Sequence, residues 1–207
     1  FSERAREYRT ITYELNQDKG QTLEYFLRVK TSSSMQLPVR IYNELGFAKM
    51  SGDENIVLGA YYGVIFVMVF FNFLLGVSLK DHVYYHYIGY LASYLIVQLA
   101  LNGNSHRFLF PNDPGIGNTV LPISVFVSVA MSSTFSRLFL EMKKYTPRID
   151  SFFSAASKFG WGAAALCLVL PYSVTIKLGV ASTGVVSVLF IVSAILVLKK
   201  GYQPAKP

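Results

Sequence analysis

The chain has 207 residues, of which 52% are hydrophobic and 15% aromatic, and its formal net charge is +7. Its mean hydropathy of +0.38 is typical of an integral membrane protein, so the length gives no count of soluble domains. Residues 1–56 contain eight cations and eight anions, and the whole excess therefore lies in residues 57–207, in short links between apolar runs. Cations in such links indicate membrane orientation, which we favour over nucleic-acid binding.

The N-terminal residues alternate between apolar and polar side chains in three places, a period of two that predicts half-buried antiparallel strands. The apolar positions are Ile11, Tyr13 and Leu15, then Leu23, Tyr25, Leu27 and Val29, and finally Leu37, Val39 and Ile41. Three short strands cannot close a core, so we expect more strands before Phe1 or from another chain. We therefore interpret residues 1–50 as the C-terminal part of an extracytoplasmic β-sandwich and residues 51–56 as a polar linker.

Residues 57–79 follow without a single formal charge. A helix of that length covers the hydrocarbon thickness of a bilayer, about 30 Å, with some allowance for tilt. Four more apolar runs predict a membrane-embedded all-α bundle of about five transmembrane helices. The predicted spans are 57–79, 83–102, 118–140, 151–172 and 178–198, and residues 201–207 would begin a cytoplasmic link to a sixth helix.

The cations beside the apolar runs predict how the bundle is oriented. One side carries nine of them and the other only Arg107 and Lys177, so by the positive-inside rule the first side is cytoplasmic and the β-module lies outside. The nine are Lys80, Arg137, Lys143, Lys144, Arg148, Lys158, Lys199, Lys200 and Lys206. Arg137 is close enough to its helix end to reach the interface, and Asp150 is a plausible N-cap for the fourth span.

Polar side chains give few candidate sites. Asn72 is the best polar candidate inside a span, and we expect it to hydrogen-bond a neighbouring helix. Tyrosines 84, 85, 87 and 90 suggest an interfacial aromatic belt. A ligand-binding cluster is predicted in the loop after the second span, although a solvated loop explains the same residues. Its members are Asn102, Asn104, His106 and Arg107.

Small residues recur every four positions on the last two helices and predict close helix packing. They are Ala156, Gly160 and Ala164 on the fourth span and Gly179, Thr183 and Ser187 on the fifth. Cys167 is the only cysteine, and the i, i+4 pair His82 and His86 has no third ligand. We expect no metal, no cofactor and no catalytic residues, since the sequence has no Walker loop, HExxH or GxSxG.

Seven short segments resemble the bacterial seven-transmembrane receptors with diverse intracellular signalling modules, the 7TMR-DISM family. Their order and spacing match over about 150 residues. They are Gly59-Ala60-Tyr61-Tyr62-Gly63, Phe71-Asn72-Phe73, Asp81 to Tyr87, Leu101-Asn102-Gly103 with Phe108-Leu109-Phe110-Pro111, Phe135 to Leu140, and Lys200 to Lys206. Phe110 stands where the family pattern often has Trp.

The resemblance implies a sensor with an outer jelly-roll β-sandwich for carbohydrate-like or other small ligands, seven helices, and a cytoplasmic output such as a histidine kinase or diguanylate cyclase. On that pattern the chain is truncated after its fifth helix and is not itself an enzyme. We therefore predict a multi-pass receptor of the bacterial inner membrane, with a periplasmic or extracellular N-terminal module. It would signal to a cytoplasmic partner, as in a two-component system, and could form a homodimer. The alternative is a non-signalling anchor or scaffold subunit of a transport complex.

Overall fold

A computed structural model describes residues 8–18, 20–29, 38–105 and 114–200 of the chain. Every regular element in these residues is helical. The helices are α1 (Glu44–Leu79), α2 (His82–Leu101), α3 (Pro114–Phe139), α4 (Met142–Tyr145), α5 (Pro147–Leu166) and α6 (Tyr172–Lys199).

The three strands predicted before α1 do not form in the residues that the structure describes there. Residues 8–18, 20–29 and 38–43 have no strand assignment, and Leu37 lies outside the described residues. The alternating side chains remain exposed, for example Tyr13 at 72% and Ile41 at 81%. A strand is stabilised by hydrogen bonds to a neighbouring strand and by a covered face, and these segments have neither among the described residues.

Helix α1 begins earlier than the apolar run predicts. The side chain of Asn43 caps it by accepting a hydrogen bond from the Gly46 amide at 2.8 Å, and the helix continues for 36 residues to Leu79. Residues 51–56, interpreted from the sequence as a linker, are therefore helical. At about 1.5 Å per residue, the thirteen residues before the apolar run extend the helix by about 20 Å.

The link between α1 and α2 is a tight hairpin. Lys80 adopts a left-handed conformation, with φ of 54°, and the Asp81 carboxylate accepts a hydrogen bond from the Val83 amide at 2.9 Å. A Cβ atom on Gly76 would lie 3.1 Å from Cβ of Tyr84, so the two helices nearly touch beside the turn. We call this the Lys80 end of the bundle and the opposite one the Glu54 end.

Within the described residues, three helices are long and apolar enough to cross a membrane: Glu44–Leu79, Thr119–Phe139 and Tyr172–Lys199. Helices α2 and α5 correspond to the second and fourth predicted spans and have 20 residues each, but they are more polar. Tyrosines and two histidines lower the hydropathy of α2, and Arg148, Asp150 and Lys158 lower that of α5. A total of five crossings stays a prediction.

Helix α3 lies at the centre of the bundle and packs against α2, α5 and α6. Its contact with α5 is the closest, because a Cβ atom on Gly160 would lie only 2.8 Å from the Phe126 carbonyl oxygen. Near the Lys80 end, the turn through α4 closes a core with the last turn of α6. That core contains Leu140, Met142, Phe153 and Val197, all at least 95% buried.

The structure places the predicted small residues differently on α5 and on α6. Gly160 and Ala164 are buried and Ala156 is half-buried, whereas on α6 only Gly179 is buried and Thr183 and Ser187 are exposed. The buried positions of α6 are Thr175, Gly179, Val186, Ser193 and Val197. Residues spaced four apart are rotated by about 40° from one another around the helix axis. A row of such residues therefore turns gradually away from a straight neighbouring helix.

The turn between the third and fourth predicted spans also differs from the prediction. Helix α5 begins with Pro147 in its first turn and ends at Leu166, six residues before the predicted end. Asp150 is therefore not an N-cap. Its carboxylate accepts two hydrogen bonds from Arg137 at 2.8 and 3.1 Å, so Arg137 forms an ion pair with α5.

Candidate functional site

The N-terminal segment attaches to α1 through three side chains, Tyr8, Arg9 and Glu54, which we call the clasp. Arg9 donates two hydrogen bonds to one carboxylate oxygen of Glu54, from Nε at 3.0 Å and from Nη2 at 2.7 Å. The Tyr8 hydroxyl donates to the same oxygen. The Tyr8 ring packs edge-on against Phe47, with ring centroids 5.2 Å apart, and only 5% of the residue is exposed. The clasp therefore joins an apolar contact to a charge-assisted one.

The charges of the clasp stabilise the ionised carboxylate. Burial alone would raise the pKa of Glu54, but the hydrogen bonds from Tyr8 and Arg9 outweigh it and lower that pKa below its usual value. Burial and the neighbouring carboxylate raise the pKa of the Tyr8 hydroxyl, which therefore remains protonated and able to donate. At neutral pH the clasp thus holds one negative and one positive charge at hydrogen-bond distance.

The same segment also contacts the end of α2. Gly103 has a φ of +74°, and a Cβ atom at this position would collide with the backbone carbonyl oxygen of Arg9. Glycine is required here on both grounds, the left-handed backbone and the close approach. The N-terminal segment therefore touches α1 through the side chain of Arg9 and the residues after α2 through its backbone.

One hydroxyl joins α1 to the loop that the sequence marks as a candidate site. The Tyr62 hydroxyl accepts hydrogen bonds from the side-chain amides of Asn102 and Asn104, both at 3.1 Å. Asn104 is buried, at 5% exposure. Two of the four predicted ligand-binding residues are therefore close together, with their amide donors bound to Tyr62. The other two, His106 and Arg107, lie outside the described residues.

A second polar contact lies next to Tyr62. The Tyr94 hydroxyl on α2 accepts hydrogen bonds from Tyr61 at 3.2 Å and from Gln98 at 2.6 Å. Glu54, Leu58 and Tyr62 are spaced i, i+4, i+8 and share one side of α1. The clasp and the two tyrosine contacts therefore follow one another along the first half of the helix.

An open cleft of about 320 Å³ connects the clasp to the loop after α2. Its lining combines charged and apolar side chains, with both signs of charge represented. The lining residues are Arg9, Asp53, Glu54, Val57, Leu58 and Asn102. Movement of the N-terminal segment would change the shape of this cleft directly.

The remaining candidate residues lie away from this junction. The Asn72 amide donates to the Met68 carbonyl of its own helix at 2.7 Å, so its hydrogen bond is not to a neighbouring helix. His86 hydrogen-bonds the carbonyl of His82 through Nδ1 at 2.9 Å. Within the described ranges, no three His, Cys, Asp or Glu side chains gather as metal ligands would.

The clasp is the feature that sequence reasoning missed. Tyr8 and Arg9 lie 45 or more residues before Glu54, and nothing in the local pattern pairs them. The one available signal is Glu54 itself, the last acid before a long apolar run. A carboxylate in that position is commonly paired, but the sequence does not identify the partner.

Two family models match the chain, one on either side of the start of α1. Residues 54–207 match the model described as 7TM diverse intracellular signalling. The chain belongs to the 7TMR-DISM family. Residues 1–43 match the model described as 7TMR-DISM extracellular 2. No curated protein and no solved structure matches the chain.

The two family matches identify the two parts of the chain. The helices belong to a multi-pass membrane region of a signalling receptor, and the residues before them belong to a module of extracellular type. The clasp joins the two matched regions, because Tyr8 and Arg9 belong to the first and Glu54 is the first residue of the second. The Glu54 end therefore lies next to the extracellular-type module.

Proposed function

We propose that this chain relays the state of its extracytoplasmic module into the membrane through the clasp. A ligand on the module would shift the N-terminal segment, and the segment would carry α1 and the end of α2 with it. The observation that supports this function is the three-residue contact of Tyr8 and Arg9 with Glu54. It provides the direct side-chain bonds between the two family regions that such a relay requires.

The finer parts of the proposal follow from the family and from charge. We place the receptor in the bacterial inner membrane with its N-terminal module outside and its nine link cations in the cytoplasm. Any kinase or cyclase activity would belong to a cytoplasmic output domain, for example of a two-component system, and this chain would carry none. A small or carbohydrate-like molecule is the proposed ligand of the module.

A receptor chimera with a diguanylate cyclase as output tests the relay. We expect Arg9→Ala and Glu54→Gln to change cyclase output several-fold in the same direction, because each breaks the same contact. Arg9→Glu combined with Glu54→Arg should restore the original output. Arg28→Ala is the matched control, since Arg28 is an exposed cation of the same segment and should have no effect.

Membrane abundance must be equal for all variants, as measured by immunoblot of the membrane fraction. Output that is indifferent to the clasp and to every other change in the N-terminal module would contradict the relay. That result would favour the alternative function, an anchor or scaffold subunit.

A further inference from the structure

A second cleft lies at the Lys80 end of the bundle, far from the clasp. It is a groove of about 590 Å³ between α1, α2 and α3. Its lining includes Asp81 and Glu141 at the helix ends and Asn72 on α1. Helix α1 ends at Leu79, seven residues after Asn72, so the groove extends about 10 Å from the helix end into the apolar part of the bundle.

Aromatic rings form one wall of this groove. The Tyr87 ring lies 4.9 Å from the Phe135 ring, and Phe135 stacks on Phe139 at 5.2 Å, centroid to centroid. Leu138 and Phe139, the last two residues of α3, are each 42% exposed at this groove. The groove therefore presents accessible apolar side chains at the end of α3.

The acids of the helical region are concentrated at this groove. Residues 57–207 contain four acids, one of which, Asp113, lies outside the described residues. Asp150 is paired with Arg137, and the remaining two, Asp81 and Glu141, both line the groove. They are located on the side of the bundle for which the sequence predicts nine cations, so two acids lie together in a region that is otherwise basic.

The partners of these two acids leave them able to bind a further cation. Asp81 accepts the Val83 amide through one carboxylate oxygen. Glu141 lies 3.7 Å from Lys144, but both side chains are more than half exposed, and such a surface pair contributes little. Carboxylates beside aromatic rings are a favourable environment for an ammonium group.

We propose that this groove binds phosphatidylethanolamine from the cytoplasmic leaflet. The lipid ammonium would lie between Asp81 and Glu141 and against the aromatic wall. Lys80 and Lys144, next to the two acids, would meet the phosphate, and an acyl chain would follow Leu138 and Phe139 toward Asn72. The combination of an acidic mouth, basic neighbours and an apolar floor matches a zwitterionic amphiphile. This site does not depend on the proposed relay.

The test uses the purified chain in nanodiscs of phosphatidylcholine with equal small fractions of phosphatidylethanolamine and phosphatidylglycerol. Native mass spectrometry after transfer to detergent counts the retained lipids. We expect phosphatidylethanolamine to be retained over both other lipids. The double variant Asp81→Asn with Glu141→Gln should reduce this retention about tenfold, because two charge-assisted contacts are lost. Asparagine at position 81 still caps α2, which preserves the fold.

The matched control is Asp18→Asn with Glu24→Gln, which removes two acids from the N-terminal segment and should leave lipid retention unchanged. If the groove variant loses helix content by circular dichroism, Tyr84→Leu replaces it, and it should lower retention several-fold because Tyr84 is an aromatic residue of the groove lining. Equal retention of the three lipids, or retention unaffected by the groove variants, would overturn the proposal. Displacement by soluble phosphoethanolamine, or occupation of the groove by a second copy of the chain in cross-linking, would overturn it as well.

Discussion

The α1–α2 hairpin and the bundle around α3 are held together by different forces. At the Glu54 end, α1 contacts its neighbours through hydroxyl, amide and carboxylate groups. In an apolar 18-residue stretch of α1, only 11% of the residues are buried. In an apolar 18-residue stretch of α3, 39% of the residues are buried, and the contacts around this helix are close, with the ion pair of Arg137 and Asp150 among them. Hydrogen bonds at a partly open site can exchange partners at low cost, whereas a close-packed contact has a single good fit.

This difference suggests which part moves when the module changes state. We infer that α1 and the end of α2 shift together as a lever, while α3, α5 and α6 remain a fixed support. The clasp then acts at the easily moved part of the bundle, and the core near Val197 keeps the end of α6 in a constant position. Substitutions in the two regions should therefore differ in the size and the kind of their effects.

The largest effect is expected at Gly160, in the support. Gly160→Ala places a Cβ atom 2.8–2.9 Å from backbone atoms of α3 that cannot move independently, and should lower the free energy of unfolding by about 2–3 kcal/mol. Thermal unfolding in detergent measures it. Gly162→Ala is the control two residues away, where the added Cβ meets nothing within 4 Å. It should raise stability slightly, by about 0.5–1 kcal/mol, and equal losses at both positions would contradict the close contact.

The ion pair between α3 and α5 should have the next largest effect. Asp150→Asn leaves Arg137, which is only 28% exposed, without its charged partner, and should cost about 1–2 kcal/mol. Lys144→Gln breaks the exposed pair with Glu141 and should cost about 0.5 kcal/mol or less. The comparison is made by unfolding the two variants in parallel. A larger loss for Lys144→Gln would mean that burial does not decide the strength of these pairs.

Within the lever, the Tyr62 hydroxyl should have a smaller effect. Tyr62→Phe leaves the amides of Asn102 and Asn104 without their common acceptor and should cost about 1 kcal/mol. Hydrogen exchange at the end of α2 should increase, because the loop loses its bond to α1. Tyr85→Phe is the control, since Tyr85 is 41% exposed, and it should change neither measurement.

The smallest effect is expected from the pH dependence of the clasp. The folded-state pKa of Glu54 is below its value in the unfolded chain. The stabilisation that the ionised Glu54 carboxylate contributes through the clasp is therefore fully present above about pH 4.5. It is lost as the pH falls through the lowered folded-state value. Because Glu54 is one third exposed, we expect less than about 1 kcal/mol. Fluorescence quenching between residues 17 and 59 should report release in acid, and Glu54→Gln should abolish that pH dependence.

The sequence predicted the helices well because hydrophobicity is a local property. The uncharged run of residues 57–79 and the turn at Lys80 and Asp81 correspond to the end of α1 and its hairpin. The early start of α1 was missed because the cap at Asn43 is a single side-chain hydrogen bond. The strands were predicted from local sequence patterns, whereas strand formation depends on pairing with residues elsewhere.

The candidate site was harder to predict than the helices. The sequence identifies Asn102 and Asn104 as polar loop residues, but their partner Tyr62 lies 40 residues before Asn102. In its local sequence, Tyr62 is one of several aromatic residues and nothing marks it as that partner. The clasp spans a similar separation. Contacts of this kind are set by the tertiary fold, and no periodicity in the sequence encodes them.

The most direct test of the account is the coupling between Arg9 and Glu54 in the membrane. Spin labels at residues 17 and 59 of the receptor in nanodiscs give the distance between the N-terminal segment and α1 by pulsed electron paramagnetic resonance. We predict one narrow distance in the wild type, a broad distribution in Arg9→Glu and in Glu54→Arg, and recovery of the narrow distance when both changes are combined. Distributions that stay narrow in both single variants would show that the clasp does not hold the segment to α1.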